Sequence, residues 1–301
     1  MKNAVAVPEN IRDRITPVEM RRFLARSNGR AAWTTGFNLL VLASAFVLPA
    51  LWLNPVTLLV AVLLLGGRQL GLAVLYHECA HRSFFESGRL NDGFGRWLFG
   101  GLLNTSLTRY RNYHLKHHRL AGTPDDPDLS MASAYPAPRA SMRRKLVRDC
   151  TGQTGLKDVK QQFSRLGWRR NAPFLASHGT LLTVLALAGI SWAYLLWWVA
   201  YLFVYQVVVR IRFMSEHGVA ADRLSKDPRD NTCSTMISWW ERLLIGPNFV
   251  NYHLEHHLHA GVPCYRLRGF HRLLKTRGYF ASAKSVSHGY AEVLRRATQP
   301  A

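Results

Sequence analysis

The 301-residue chain has few cysteines and few acidic residues. Its four cysteines, at positions 79, 150, 233 and 264, show no paired spacing, which argues against a disulfide framework and a thiolate zinc site. Only 18 Asp and Glu stand against 39 Lys and Arg, so the formal net charge is +21. That imbalance suits nucleic acid, an anionic membrane surface or acidic partners. The first thirty residues lack an apolar core, so no ordinary signal peptide is expected.

Three long segments contain no charged residue, and they favour a membrane over nucleic acid or acidic partners. Residues 33–53, 56–67 and 172–209 contain no charged side chain. A helix needs about 20 apolar residues to cross the hydrocarbon core of a bilayer. The sequence therefore predicts an all-α integral membrane protein with four transmembrane helices, at about 33–53, 56–76, 172–190 and 191–209. No recognised nucleic-acid motif accompanies the basic charge, so no nucleic-acid partner is expected.

The basic residues predict the orientation in the membrane. Residues 1–32 contain seven Lys and Arg, residues 82–172 seventeen and residues 210–301 fourteen, whereas the turns that join the spans into two hairpins contain none. The positive-inside rule then places both termini and the middle segment in the cytoplasm. This divides the chain into a basic N-terminal segment (1–32), a membrane domain (33–275) and a basic tail (276–301). Arg68, inside the second span, is expected to snorkel toward the cytoplasm.

Two heptapeptides of the cytoplasmic segments share six of their seven residues, NYHLKHH at 112–118 and NYHLEHH at 251–257. In a helix, positions i, i+3 and i+4 lie on one face. Each heptapeptide would therefore turn three imidazoles toward one point, while Lys116 and Glu255 point elsewhere. The imidazoles are those of His114, His117 and His118 in the first copy and of His253, His256 and His257 in the second.

Three more histidines lie on the same predicted side of the membrane. His77 and His81 are spaced i, i+4 at the end of the second span, and His217 lies about two turns beyond the fourth. Nine imidazoles exceed the four to six ligands of one ion and suit two. No carboxylate lies on these faces by spacing, which favours a histidine-rich pair of non-haem irons over a carboxylate-bridged pair. Such a centre suits O2 activation and attack on an unactivated C–H bond.

The remaining histidines and the aspartates of residues 121–140 are interpreted as structural. His178 is expected to meet a backbone carbonyl or a lipid head group, and His259 lies off the helical face of its neighbours. His271 and His288 are placed in amphipathic surface segments. The aspartates at positions 125, 126 and 128 are interpreted as turn and capping residues.

The histidine spacing resembles the membrane fatty acid desaturase and hydroxylase superfamily, whose three boxes are HxxxH, HxxHH and HxxHH. They match residues 77–81, 114–118 and 253–257, and the RFMSEHG segment at 212–218 resembles the family's additional histidine, here His217. The resemblance covers about residues 33–275 and is nearest to acyl-lipid desaturases. It implies a centre of two Fe ions, O2 as co-substrate, and a fatty acyl or other membrane lipid substrate that receives a double bond. It also implies a separate electron donor of ferredoxin, rubredoxin or cytochrome b5 type, since no haem-binding His-Pro-Gly-Gly motif is present.

Three alternatives stay open at this point. A hydroxylase or a carotenoid ketolase would begin with the same hydrogen abstraction. The first box is also an HExxH zinc protease motif with Glu78 as candidate base, but one zinc with three protein ligands would leave most of the histidines unexplained. A metal transporter would place its ligands near the bilayer midplane rather than at one surface.

Overall fold

The computed structural model describes residues 11–164, 167–281 and 286–299, apart from the side chains of Arg12 and Arg169. Residues 1–10 of the predicted N-terminal segment, and residues 282–285, 300 and 301 of the predicted tail, lie outside the described residues. Within the described ranges the chain is mostly helical. The first half contains α1 (Pro17–Leu24), α2 (Asn28–Leu51), α3 (Pro55–Ala80), α4 (Gly88–Phe94), α5 (Gly100–Leu102), α6 (Leu107–Leu120), α7 (Leu129–Ala132), α8 (Arg139–Cys150) and α9 (Gln153–Phe163).

The second half adds eight helices and two short strands to the described part of the chain. These are α10 (Trp168–Leu187), α11 (Tyr194–Ala200), α12 (Gln206–Phe213), α13 (Pro228–Asn231), β1 (Ser234–Met236), α14 (Trp239–Leu244), α15 (His253–Leu258), α16 (Cys264–Thr276), β2 (Val286–His288) and α17 (Gly289–Arg296). Turns of π-helix lie at Gly95–Phe99, Tyr201–Tyr205 and Met214–Gly218, and 3₁₀ turns at Ile11–Asp13, Ser191–Ala193 and Pro247–Phe249. The two strands pair in parallel, so the all-α prediction misses one small sheet.

Three helices of the described chain are long and apolar enough to cross a membrane. They are α2, α3 and the helix Ser191–Gly218, which runs through α11 and α12. The second and last candidates extend farther than predicted, to Ala80 and Gly218 instead of 76 and 209. His77 and His217 therefore lie inside these helices, and the position of His217 about two turns beyond the last membrane span stays a prediction. α10 covers most of the predicted span at 172–190, but it is not one of the three candidates.

α3 lies at the centre of the fold, and its first turn is set by the sequence. The Asn54 side chain accepts hydrogen bonds from the backbone N–H groups of Val56 (3.0 Å) and Thr57 (3.0 Å), and Pro55 occupies the first turn. From Leu65 to Ala80 almost every residue is buried, against α2, α11, α14 and the π-helical turn at Tyr201–Tyr205. α3 therefore delivers its C-terminal histidines into the protein interior.

Arg68 does not snorkel toward the cytoplasm, contrary to the prediction. Its side chain is 1% exposed, and its guanidinium donates to Asn38 Oδ1 (3.2 Å) and to the backbone carbonyls of Arg242 (3.3 Å) and Leu243. Asn38 also donates to Asn248 Oδ1 (2.8 Å). A buried cation is stabilised by such hydrogen bonds, so Arg68 ties two spans to the segment that leads into α15.

Candidate metal centre

The two heptapeptides form helices, as predicted. The first lies in the second half of α6, and the histidines of the second begin α15 at His253. Lys116 is exposed, as its position off the histidine face predicts, but Glu255 is fully buried on the opposite side of α15. The two copies therefore share a helical face while their outer surroundings differ.

One group of imidazoles joins three helices. Each of its five histidines offers a ring nitrogen, and these atoms all lie within 4.8 Å of one another. His118 Nε2 lies 3.0 Å from His114 Nε2 and 3.0 Å from His256 Nε2. The group consists of His77 from α3, His81 directly after the end of α3, His114 and His118 from α6, and His256 from α15.

A second group lies beside the first. It contains His117, His217 and His257, whose ring nitrogens also lie within 4.8 Å of one another. His117 Nε2 is 3.3 Å from His257 Nε2. His253 adjoins this group, with its Nε2 3.0 Å from His217 Nε2. All nine histidines singled out by spacing are thus brought together, from α3, α6, α15 and the π-helical turn Met214–Gly218.

The histidines are in a state that suits metal binding. Burial, followed by the neighbouring imidazoles, lowers the pKa of His118 to about 2 and holds the pKa values of His114, His253, His256 and His257 well below the usual range. Neutral imidazole is the form that ligates metals.

Several buried ring nitrogens also lack a hydrogen-bond partner in the described chain. Both nitrogens of His77 are in this state, as are His81 Nε2 and His256 Nδ1. Buried polar atoms normally have a hydrogen-bond partner. A metal ion, which accepts electron pairs from nitrogen, would satisfy these ring nitrogens. The two groups of nitrogen donors therefore fit two transition-metal ions whose ligands are mainly imidazoles.

Carboxylates support the second group from outside. Asp126 Oδ1 lies 2.7 Å from His117 Nδ1, and the same oxygen accepts from the Asp128 backbone N–H at 2.9 Å. The turn interpretation of Asp126 thus holds, but its contact with His117 was not predicted. Glu216 Oε1 lies 3.4 Å from His253 Nδ1 and accepts from Arg212 Nε at 2.6 Å. Such outer contacts fix the ring orientation of ligating histidines.

Glu255 is anchored on the far side of α15. It accepts from Ser234 Oγ at 2.5 Å and pairs with Nδ1 of His271. His271 is only 6% exposed, so it lies on the buried face of α16, whose opposite face is exposed as expected for an amphipathic surface segment. A glutamate in place of Lys116 does not by itself indicate burial, so the contacts of Glu255 could not be read from the spacing of the second heptapeptide.

The other histidines outside the groups follow their predicted positions. His178 Nε2 lies 3.1 Å from the backbone carbonyl of Leu102, which confirms the expected carbonyl contact. His259 belongs to neither group and is part-exposed, and His288 is exposed at the end of β2. Glu78 of the HExxH motif accepts hydrogen bonds at its Oε2 from Ser83 Oγ (3.1 Å) and from the Cys264 backbone N–H (2.8 Å).

An apolar cavity of about 610 Å³ lies among the membrane helices. It is lined by residues of α2, α10 and the helix that includes the π-helical turn Gly95–Phe99, and it reaches Trp197 of α11. None of the nine histidines lines it. Tyr76 and Tyr110 do not line it; their ring centroids are 5.0 Å apart, and the Tyr110 ring stacks on His114.

Comparison with known proteins assigns the family. The model of the family described as "Fatty acid desaturase" matches residues 52–284. Dihydrorhizobitoxine desaturase from Bradyrhizobium elkanii is 27% identical over 256 residues, covering 78% of this chain and 71% of that protein. Beta-carotene ketolase from Paracoccus sp. (strain PC1) is 30% identical over 268 residues, covering 80% of this chain and 96% of the ketolase. A second beta-carotene ketolase, from Paracoccus sp. (strain N81106 / MBIC 01143), is 28% identical. That match covers 72% of this chain and 83% of the second ketolase. The chain is therefore a membrane oxidoreductase that belongs to the fatty acid desaturase family.

Proposed function

We propose that the two histidine groups hold two iron ions and that the protein uses O2 to oxidise a long apolar lipid. The observation that carries the proposal is the convergence of nine imidazoles in two adjacent groups. His77, His81, His114, His118 and His256 would hold one ion, and His117, His217, His253 and His257 the other. Bound iron would supply the activation of O2 needed to remove hydrogen from an unactivated C–H bond.

The residues around the two groups prepare the site for this chemistry. The pair Asp126–His117 directs the free Nε2 of the imidazole inward, since its Nδ1 faces the carboxylate. Arg212 and Glu216 brace His253 in the same way. Burial keeps bulk water from the imidazoles, which protects a reactive centre from side reactions.

The favoured reaction introduces a double bond into a fatty acyl chain. An apolar cavity between membrane helices supports a lipid chain as substrate, because its walls offer contact without polar partners. Ketolation or hydroxylation of a carotenoid or another lipid is the second candidate. This candidate is favoured by the similarity to the protein named beta-carotene ketolase, because the match covers 96% of the length of that ketolase.

The proposed placement in the membrane has four spans. α10 would act as the span that pairs with Ser191–Gly218, since Leu182, Val184 and Leu187 are exposed apolar residues on its surface. Both termini and the histidine groups would face the cytoplasm, following the distribution of Lys and Arg. The boundaries 1–32, 33–275 and 276–301 are proposed for the N-terminal segment, the membrane domain and the tail.

Two electrons per turnover would come from a separate protein. An acidic carrier of ferredoxin, rubredoxin or cytochrome b5 type suits the basic cytoplasmic face, because charge complementarity speeds association.

Lipid profiling tests the proposed reaction. The wild type and His117→Ala are expressed in cells that supply fatty acyl lipids and, separately, in cells that supply β-carotene. An unsaturated acyl product that is absent from His117→Ala supports desaturation, and an oxygenated carotenoid supports the second candidate. His259→Ala is the matched control, because it removes an imidazole outside both groups, and it should retain the product. Identical lipids and carotenoids in wild type and His117→Ala would refute the proposal.

A further inference from the structure

A second large cavity, of about 580 Å³, is lined mainly by polar and basic residues. It lies between the helical segment that contains Arg96, the start of α6 and the start of α10. Four of its lining residues are arginines and only one is acidic. The arginines are Arg96, Arg109, Arg111 and Arg170, and the acid is Asp92.

The carboxylate of Asp92 is already engaged. It accepts from Arg82 Nη2 at 2.6 Å and from Arg111 Nη2 at 2.5 Å. Arg111 also donates to the backbone carbonyls of Ala80 (2.8 Å) and Cys79 (3.0 Å), which holds its guanidinium in place. Among the described residues, Arg96 and Arg109 form no ion pair, and Arg96 lies over the Trp97 ring, 5.2 Å from its centroid. Arg96 and Arg109 therefore add positive charge to the cavity beyond the pair formed by Arg111 and Asp92.

Backbone donors add to this charge. α6 has 14 residues, and Ser106 at its N-terminal cap makes no side-chain hydrogen bond to the first turn. The residues from Thr105 to Arg109 line the cavity. The free N–H groups of a helix start and the helix dipole favour an anion.

The basic cavity adjoins the apolar one along two elements. Arg96 lines the basic cavity and its neighbour Trp97 lines the apolar cavity. On α10, Pro173 lines the basic cavity, and Ala176 and Ser177, one turn later, line the apolar cavity. Trp97, beside Arg96, is 47% exposed, and Trp168, at the start of α10, is 78% exposed; exposed tryptophans are typical of the head-group region. A charged pocket that adjoins an apolar one fits an amphiphile with an anionic head.

We propose that the arginine-lined cavity binds a phosphate group. The phosphate comes either from the head group of an anionic phospholipid or from a soluble phosphate, and the adjoining apolar cavity favours the phospholipid. Arginine forms paired hydrogen bonds with phosphate oxygens, which suits a pocket of several guanidinium groups. The site uses none of the nine histidines, so it stands whether or not the proposed reaction is correct.

The test uses the purified full-length protein and two double variants. Arg96→Gln with Arg109→Gln removes two charges from the cavity. Arg143→Gln with Arg144→Gln removes two charges from a separate cavity beside α8 and serves as the control. Binding of short-chain phosphatidylglycerol, phosphatidylcholine and inorganic phosphate is measured for each protein. We expect the cavity variant to bind phosphatidylglycerol about tenfold or more weakly than the wild type, while the control stays within twofold, roughly the scatter of such effects for surface charges.

The remaining outcomes also decide the proposal. Phosphate binding that is lost in the cavity variant, without any effect on phosphatidylglycerol, would identify a soluble phosphate as the ligand. Equal losses in both variants, or phosphatidylcholine bound as tightly as phosphatidylglycerol, would overturn the proposal. Metal content and thermal midpoint report whether the cavity variant is folded. If it is not, Arg109→Gln and Arg143→Gln, each alone, provide the same comparison.

Discussion

Removal of the Asp126 carboxylate should weaken one half of the proposed metal centre. Asp126 Oδ1 lies 2.7 Å from His117 Nδ1, and His117 Nε2 faces His257 Nε2 at 3.3 Å. The carboxylate therefore selects the tautomer whose Nε2 is free to bind a metal. Loss of such a partner lowers metal affinity by about 10- to 100-fold, which corresponds to about 1.4–2.8 kcal/mol.

The assay follows the retained iron of Asp126→Ala during dialysis against chelators of increasing strength. Asp125→Ala is the matched control, because this exposed aspartate lies in the same turn and makes no side-chain contact with a histidine in the described chain. Asp126→Asn keeps an acceptor oxygen for His117 Nδ1 and should fall between the wild type and Asp126→Ala. The thermal midpoint of the metal-free protein, measured in parallel, separates loss of metal affinity from loss of the turn.

The reasoning would be refuted if Asp126→Ala retained iron as firmly as Asp125→Ala. It would also fail if Asp126→Asn behaved like Asp126→Ala, because the predicted role depends on the hydrogen bond to the ring.

Two further predictions concern the supports of the histidine helices. Glu255→Ala removes a buried carboxylate that binds Ser234 and His271, and should lower stability by about 1.5–3 kcal/mol, measured as a fall in the thermal midpoint. Lys116→Ala, the equivalent exposed position of the first copy, should change the midpoint little. Gly67→Ala would place a Cβ 2.6 Å from the Leu244 carbonyl oxygen, so it should cost about 1–3 kcal/mol. Gly36→Ala, also in a membrane helix but with nothing within 4 Å, should be neutral or slightly stabilising; equal midpoints for the two glycine variants would contradict the packing of α3 against α14.

The histidine faces were predictable because helical spacing is a local property. Residues at i, i+3 and i+4 share a face whatever surrounds the helix, so His114 and His118 had to point the same way. The sequence could not divide the nine histidines between two groups, since that depends on how α3, α6 and α15 approach each other. His117 belongs to the group of His217 and His257, although His114 and His118 of the same helix belong to the other group. This division results from tertiary packing alone.

The contacts that support the histidines from outside could not be predicted from the sequence, for a similar reason. Asp126 and His271 meet their partners across loops and between helices, and no sequence pattern links them to a histidine box. Arg68 was expected at the membrane surface because a charge in an apolar run has no visible partner. Its partners are Asn38 of α2 and the backbone carbonyls of Arg242 and Leu243, and the two carbonyls lie more than 170 positions away.

The metal content of the purified wild-type protein tests the central claim most directly. The two histidine groups predict about two irons per chain, with activity that requires O2. One zinc per chain, with little iron and with activity that survives the removal of O2, would contradict the account.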